Sequence, residues 1–308
     1  MPIRIVAAVL AAGAASAVLF GTTLTGTVLL AYFAQLPLFI VGLSHGWPAA
    51  AAAGAIGIVG VLTIGSFGLT VAFAVMEAVP VVILCWRALR HRYGADGKVE
   101  WYSAGALATD AMLLALAVML VQAIIFEQFT GGPEGLEGVI AQIVPMLGPM
   151  TGQQDEAVRT LLAAMLPLVP GFAAAWWFWM TIVNGAIGQW VAQRGGMAWR
   201  PSPRMADLEM PRWVSEFFAI AVIGSLFPGL AGRLGENMVV VLLGVLVLAG
   251  FAIVHALAAR SASRMLLIST YLIVIVFGVP LLLLAIAGAL EPWLRLRARF
   301  LSGAAPRA

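Results

Sequence analysis

Charge is the scarcest property of this sequence. Only 10% of its 308 residues are charged and 62% are hydrophobic, whereas a soluble domain carries roughly 25% charged and 45–50% apolar residues. A water-soluble fold is therefore excluded. At about 20 apolar residues per crossing, the hydrophobic content is sufficient for about eight or nine membrane-spanning helices. The sequence predicts an all-α, polytopic transmembrane helical bundle in which residues 1–308 form a single integral membrane domain.

Cysteine and histidine are also scarce, which limits the available chemistry. Cys85 is the single cysteine, so an intrachain disulfide framework and a cysteine-based metal cluster are excluded. His45, His91 and His255 are too scattered for a metal site. Neither a G-x-x-x-x-G-K-S/T loop nor an H-E-x-x-H motif is present. We therefore predict no catalytic residues, no metal, no cofactor and no enzymatic activity, and any ATP-driven step requires another chain.

Nine apolar stretches are candidates for crossing the membrane. They are Ile5–Phe20, Thr27–Leu43, Pro48–Ile64, Phe67–Leu89, Ser103–Phe126, Phe172–Val191, Val214–Ala231, Met238–Leu257 and Met265–Leu290. The third and seventh stretches are short for a crossing. The first also resembles a signal peptide, because Arg4 precedes it and Ala15-Ser16-Ala17 is an A-x-A site. The many further spans favour a retained helix.

Basic residues predict the orientation, because Lys and Arg concentrate in cytoplasmic loops. We assign the net charge of +3 to this effect and predict no nucleic-acid partner. The links after the fourth and sixth stretches carry Arg87, Arg90, Arg92 and Lys98, and Arg194, Arg200, Arg204 and Arg212. Four crossings before Arg87 then place the N-terminus in the cytoplasm as well. One conflict remains, because basic residues flank the last stretch on both sides, at Arg260 and Arg264 and in the basic tail, 291–308. Either the C-terminus is external, or a short stretch such as Val214–Ala231 does not span.

The long link 127–171 is mainly acidic, which fits the outer side of the membrane. Two runs of apolar residues recur in it at helical spacing, interrupted by prolines. We predict two amphipathic helices along the outer face. Two roles stay open for them: a lid over a pocket that opens outward, or helices that only connect two spans.

Tryptophans in the sixth stretch predict an aromatic belt. Trp176, Trp177 and Trp179 lie at its outer end and Trp190 near its inner end, a separation of about 20 Å along a helix. Belts of this kind anchor helices at the two membrane interfaces. A role as an aromatic ligand clamp is the alternative.

Four polar side chains within apolar stretches are candidate ligand-binding residues, because an ionised group there costs about 2.5–3.5 kcal/mol. Glu77 lies three residues before Pro80, Asp110 near the start of the fifth stretch, Asn184 deep in the sixth and His255 near the end of the eighth. Structural alternatives exist for each: a protonated or paired Glu77, an Asp110 that reaches the interface, an Asn184 that hydrogen-bonds a neighbouring helix, and a packing histidine.

Small residues form a further pattern on the first helix. Alanines recur there in overlapping small-xxx-small pairs, which allow another helix to approach closely. They are Ala7, Ala8, Ala11, Ala12 and Ala15. This face either packs within the chain or docks a separate membrane subunit.

Several segments carry a family resemblance. They are Ala31–Phe39 with Gly42 and Gly46-Trp47, Met210–Val214, Gly250–Leu257, Arg260–Arg264 and Gly278–Trp293. The chain resembles the YybS-like family of bacterial multi-pass membrane proteins of unknown function, which is distantly similar to the substrate-binding S components of energy-coupling-factor transporters. The resemblance implies residence in the bacterial inner membrane and docking of Ala8 and Ala12, or Ala11 and Ala15, to a transmembrane coupling subunit with separate ATPases. It also favours a lid role for the outer link.

The resemblance has two departures. The predicted span count exceeds the six of a typical S component, and no vitamin-binding motif can be carried over. We therefore hold two hypotheses: a membrane protein that captures a small molecule within its helical bundle, and a non-transporting scaffold or regulator of cell-envelope processes. Both require contact with the lipid bilayer.

Overall fold

The computed structural model describes residues 2–130, 133–148, 152–261 and 263–302, and this part of the chain is helical apart from turns and one small hairpin. The helices are α1 (Ile3–Gly21), α2 (Val28–Ala31), α3 (Gln35–His45), α4 (Trp47–Ile64), α5 (Phe67–Phe73), α6 (Val79–Ala88), α7 (Ala104–Thr130), α8 (Pro133–Met146), α9 (Gly152–Met165), α10 (Val169–Arg194), α11 (Arg212–Ser225), α12 (Gly229–Ser261), α13 (Arg264–Phe277), α14 (Pro280–Leu294) and α15 (Leu296–Ser302). A π-helical segment, Ala74–Ala78, joins α5 to α6. Strands β1 (His91–Tyr93) and β2 (Val99–Trp101) pair antiparallel before α7.

Six helical segments among the described residues are long and apolar enough to cross a membrane. They are Ile3–Thr25, Trp47–Ile64, Phe67–Ala88, Ala104–Gln128, Gly152–Arg194 and Gly229–Ser261. The all-α, polytopic bundle is therefore confirmed. The number of long spans is smaller than the eight or nine expected from hydrophobic content, because three apolar stretches form shorter helices.

The stretch Thr27–Leu43 is divided by a turn at Tyr32–Ala34. A continuous helix would place Pro37 in its interior, where proline removes a hydrogen bond and clashes with the preceding turn. The turn instead places Pro37 in the first turn of α3, where its missing N–H group has no partner to lose.

Proline and glycine also interrupt the other two apolar stretches that form shorter helices. Val214–Ala231 ends as a helix before Pro228, and Gly229 adopts a φ of +71°. Met265–Leu290 is broken at Gly278, with a φ of +66°, and Pro280 begins α14. Only glycine adopts such φ values at little cost, so the two glycines indicate where the helices break.

Helices α1 and α4 pack closely and in parallel. A Cβ atom added at Gly13 would lie 2.5 Å from the carbonyl oxygen of Ala53, and one added at Gly21 would lie 2.7 Å from the Ile64 side chain. The partners advance in the same direction along both helices, so α1 and α4 begin on the same side of the bundle.

Three basic segments of the chain meet on one side, which we call the basic face: residues 89–103, 195–211 and 295–299. Arg200 donates from Nη1 to the carbonyl oxygens of Ala88, at 2.9 Å, and Tyr102, at 3.2 Å. Arg297 donates from Nη1 to the carbonyl oxygens of Leu208, at 2.8 Å, and Ala206, at 3.3 Å.

The position of Arg297 resolves the charge conflict at the end of the chain. Helix α12 begins at the opposite side, where Arg233 pairs with Glu127 at 2.9 Å, and its 33 residues span about 50 Å. It therefore ends at the basic face. Because α13 and α14 are separated at Gly278, the chain returns to the same face instead of crossing once more.

Candidate functional site

The π-helical segment contains Glu77 and leaves one backbone carbonyl group without its usual hydrogen bond within the helix. In a regular α-helix the N–H of residue 80 would bond the carbonyl oxygen of Met76, but Pro80 has no N–H group. Two side chains from other helices bond this oxygen instead: Gln35 donates from Nε2 at 3.1 Å and Trp177 from Nε1 at 2.9 Å. Glu77 is the next residue after Met76 in this segment, and its carboxylate accepts from the Gln35 side-chain amide.

Helix α10 presents three side chains to this region from one face. Trp177, Thr181 and Asn184 follow the i, i+4, i+7 spacing of a helical face. Asn184 is fully buried, and its Nδ2 donates to the carbonyl oxygens of Tyr32, at 2.7 Å, and Met180, at 2.8 Å. Tyr32 lies at the turn that divides α2 from α3, so α10 bonds both interrupted segments.

We call Gln35, Glu77, Trp177, Thr181 and Asn184 the polar seam. Three of its side-chain oxygens are buried and have no hydrogen-bond partner among the described residues: Oε1 of Gln35, Oγ1 of Thr181 and Oδ1 of Asn184. The three residues are 2%, 1% and 0% exposed. Native structures contain few such groups, and each calls for an explanation.

Hydrogen-bond donors fix the orientation of the two amides. The Nδ2 group of Asn184 uses both of its N–H groups on carbonyl oxygens, and Nε2 of Gln35 donates to Met76. A flipped amide would place oxygen against oxygen at these contacts. Oε1 of Gln35 and Oδ1 of Asn184 are therefore the free ends of these two amides.

The four predicted ligand residues do not form one site. Glu77 and Asn184 belong to the polar seam, whereas Asp110 accepts a bidentate pair from Arg87 at 2.9 and 3.0 Å. His255 lies elsewhere, with Nε2 3.0 Å from the Tyr271 hydroxyl. Asp110 and His255 thus have structural partners of their own.

Sequence reasoning missed three members of the seam. Gln35 and Thr181 were not singled out, although Gln35 interrupts an apolar stretch just before Pro37. Trp177 was assigned to an aromatic belt, but it is 7% exposed and its indole bonds Met76 inside the bundle. Trp176 and Trp190 are about half exposed, so for these two rings the belt stays a prediction. A proline four residues after Met76 was the signal for a carbonyl in need of a donor.

A cavity of about 330 Å³ extends from the basic face to the seam. Its walls include Thr181, Gln189 and Arg200 together with apolar side chains such as Phe39 and Leu248. Burial lowers the pKa of the Arg200 guanidinium from its ordinary value, and its hydrogen bonds to backbone carbonyls hold it at the mouth.

A second cavity, of about 640 Å³, lies at the opposite end between α7 and α12. Its wall is mostly apolar and contains the Glu127 and Arg233 pair as well as Leu136 of α8. None of the four predicted ligand residues lines either of these two cavities. Helices α8 and α9 match the two helices predicted in the outer link.

The small face of α1 is divided between two environments. Ala12 is buried and Ala8 packs against the core, on the side where Gly13 meets α4. Ala11 and Ala15 are exposed. The first pair is therefore used within the chain, and the second lies on the outer surface of the bundle.

These features define a polytopic helical membrane protein with interrupted helices around a buried polar centre. The chain belongs to the family described as "Predicted membrane protein (DUF2232)", whose model matches residues 5–290. No curated protein and no solved structure gives a significant match to the chain.

Proposed function

We propose that this protein captures a small molecule within its helical bundle, without a catalytic step of its own. The observation that carries the proposal is the polar seam, where two interrupted helical segments bring Tyr32 and Met76 carbonyls against α10. Interrupted membrane helices with unwound backbone near the bilayer centre are typical of substrate sites in transporters. The unpartnered oxygens of Gln35, Thr181 and Asn184 make the seam complementary to a molecule that carries hydrogen-bond donors.

The outer cavity supports a role for the outer helices as a lid. A volume of about 640 Å³ lies within the range of small-molecule sites, roughly 300–1,000 Å³. Leu136 of α8 contributes to its wall, so movement of α8 would change access from this side.

The resemblance to S components supports a further part of the proposal, a coupling subunit with separate ATPases. Ala11 and Ala15 are the pair we assign to docking, because they are exposed on α1 whereas Ala12 is buried. We also propose that the basic face is cytoplasmic in a bacterial inner membrane, following the positive-inside rule. The N-terminus would then be cytoplasmic too.

A scaffold or regulator of envelope processes is the second candidate. Asp110 pairs with Arg87 and His255 with Tyr271, so two of four polar candidates already serve to hold segments together. In that case the seam would do the same.

Thermal unfolding of the purified protein in detergent tests capture. Vitamins and nucleosides are screened one at a time, and a true ligand at a hundred times its Kd stabilises by about 2.7 kcal/mol. We expect Glu77→Gln to weaken this response, and Glu236→Gln, an exposed glutamate of α12, to leave it unchanged. Absence of any stabilising compound, together with co-purification of envelope proteins, would favour the scaffold.

Cysteine labelling tests the orientation. Cys85 is fully buried, so single cysteines can be introduced into the natural sequence. In spheroplasts, a membrane-impermeant maleimide should label Arg159→Cys of α9, and should label Lys98→Cys only after permeabilisation. The reverse pattern would invert the proposed orientation.

A further inference from the structure

We propose that the polar seam binds a monovalent alkali cation, for which Na⁺ is the test ion. Its ligands would be the Glu77 carboxylate and the free oxygens of Gln35, Thr181 and Asn184. This inference deepens the proposed function and rests on it, because it assigns the seam a bound ion beside the captured molecule.

The donor and acceptor balance of the seam points to a cation. Its amide N–H groups bond the carbonyls of Met76, Tyr32 and Met180, and the indole N–H of Trp177 bonds Met76 as well. What remains are the amide oxygens of Gln35 and Asn184 and the hydroxyl oxygen of Thr181, all almost completely buried. Oxygen ligands are those that hard cations prefer, and unwound membrane helices supply similar sites for Na⁺ in transporters.

The charge of the seam favours one positive charge. Glu77 is the single ionisable residue among the five residues of the seam. It has no salt-bridge partner within the described ranges. An unpaired carboxylate inside a membrane span is costly, and a monovalent cation would make the site neutral. A divalent ion would leave an excess positive charge, and the described residues contain no cluster of three acidic, histidine or cysteine side chains.

The cavity at the basic face gives the ion a route. It reaches Thr181, whose hydroxyl is one of the free oxygens. Phe39 and Gly185 also line it, and Gly185 lies one residue beyond Asn184 on α10. The site would therefore exchange ions with the basic side.

The test measures thermal unfolding of the full chain in detergent as Na⁺ replaces choline at constant ionic strength. We expect a saturable rise in Tm for the natural sequence. Thr181→Val removes the hydroxyl at constant shape and should raise the half-saturating Na⁺ concentration about tenfold. Glu77→Gln should abolish the Na⁺ response.

Thr109→Val is the matched control, because Thr109 is also buried but its hydroxyl already bonds the Gly105 carbonyl oxygen at 2.8 Å. It should keep the natural Na⁺ response. Equal Na⁺ effects on all variants, or none on any, would overturn the inference, as would a response to pH that is independent of Na⁺.

The Na⁺ test and the test of small-molecule capture can fail independently of each other. If vitamins or nucleosides stabilise the protein but Na⁺ does not, capture stands and the ion site is refuted. If Na⁺ binds through Glu77 and Thr181 but no compound stabilises the protein in Na⁺, the ion site stands and capture is refuted.

Discussion

The shared hydrogen bonds on Met76 lead to a prediction about stability. Because Pro80 cannot donate to this carbonyl, Gln35 and Trp177 are its side-chain donors. Gln35→Met and Trp177→Phe each remove one donor while largely keeping the apolar volume. Either single substitution leaves the other donor in place.

The expected magnitudes follow from the membrane environment. Single hydrogen bonds between membrane helices contribute about 0.6 kcal/mol on average and up to about 1.7 kcal/mol, so each single variant should lose about 1 kcal/mol. The double variant leaves the part-buried Met76 carbonyl with neither donor, and an unsatisfied group of this kind costs about 1–3 kcal/mol. We therefore expect it to lose about 1 kcal/mol more than the sum of the single variants.

Reversible unfolding in mixed micelles measures these values, and Pro80→Ala provides the control. Alanine restores an N–H group four residues after Met76, so the extra loss should shrink in the Pro80→Ala background. If the two single effects simply add, and Pro80→Ala does not change them, the Met76 carbonyl is not the shared partner.

Three further predictions concern packing, charge and backbone conformation. Gly250→Ala should destabilise the protein by about 1–3 kcal/mol, because the added Cβ would lie 2.2 Å from the Leu284 carbonyl oxygen. The control is Gly138→Ala, whose Cβ meets nothing within 4 Å and which should stabilise α8 by up to about 1 kcal/mol. Equal effects of the two substitutions on Tm would refute the close packing at Gly250. Arg87→Ala should destabilise more than Arg87→Ala combined with Asp110→Ala, because the single change leaves the mostly buried Asp110 carboxylate without a partner. A single variant that is more stable than the double variant in the same unfolding assay would contradict this. Gly46→Ala should cost about 1–3 kcal/mol, because a φ of 94° with a ψ of 158° is almost restricted to glycine; an unchanged unfolding free energy would contradict it.

The class of fold could be predicted because hydropathy reports directly on burial in a bilayer. The two helices of the outer link could be predicted because apolar residues recur there at helical spacing. The breaks within Thr27–Leu43 and Met265–Leu290 were signalled by Pro37, Gly278 and Pro280, but hydropathy alone counts such stretches as continuous. The positions of proline and glycine therefore decide where such a stretch breaks, and its hydropathy does not.

The site was harder to predict because it depends on contacts between distant helices. Glu77 and Asn184 were identified by polarity, yet nothing in the sequence pairs Gln35 with Met76, 41 residues away. Trp177 looked like its neighbour Trp176, and only the rotation of α10 separates the buried ring from the exposed one. Asp110 carried the same signal as Glu77 but has Arg87 as a partner.

The central claim is that the polar seam is a binding site and not only a structural contact. An experimental structure of the protein in lipid nanodiscs, prepared in Na⁺ at a resolution that shows bound ions and water, tests it most directly. We expect density enclosed by Glu77 and the side-chain oxygens of Gln35, Thr181 and Asn184. Protein hydrogen-bond donors on the free oxygens of Gln35, Thr181 and Asn184, with nothing bound between them, would contradict it.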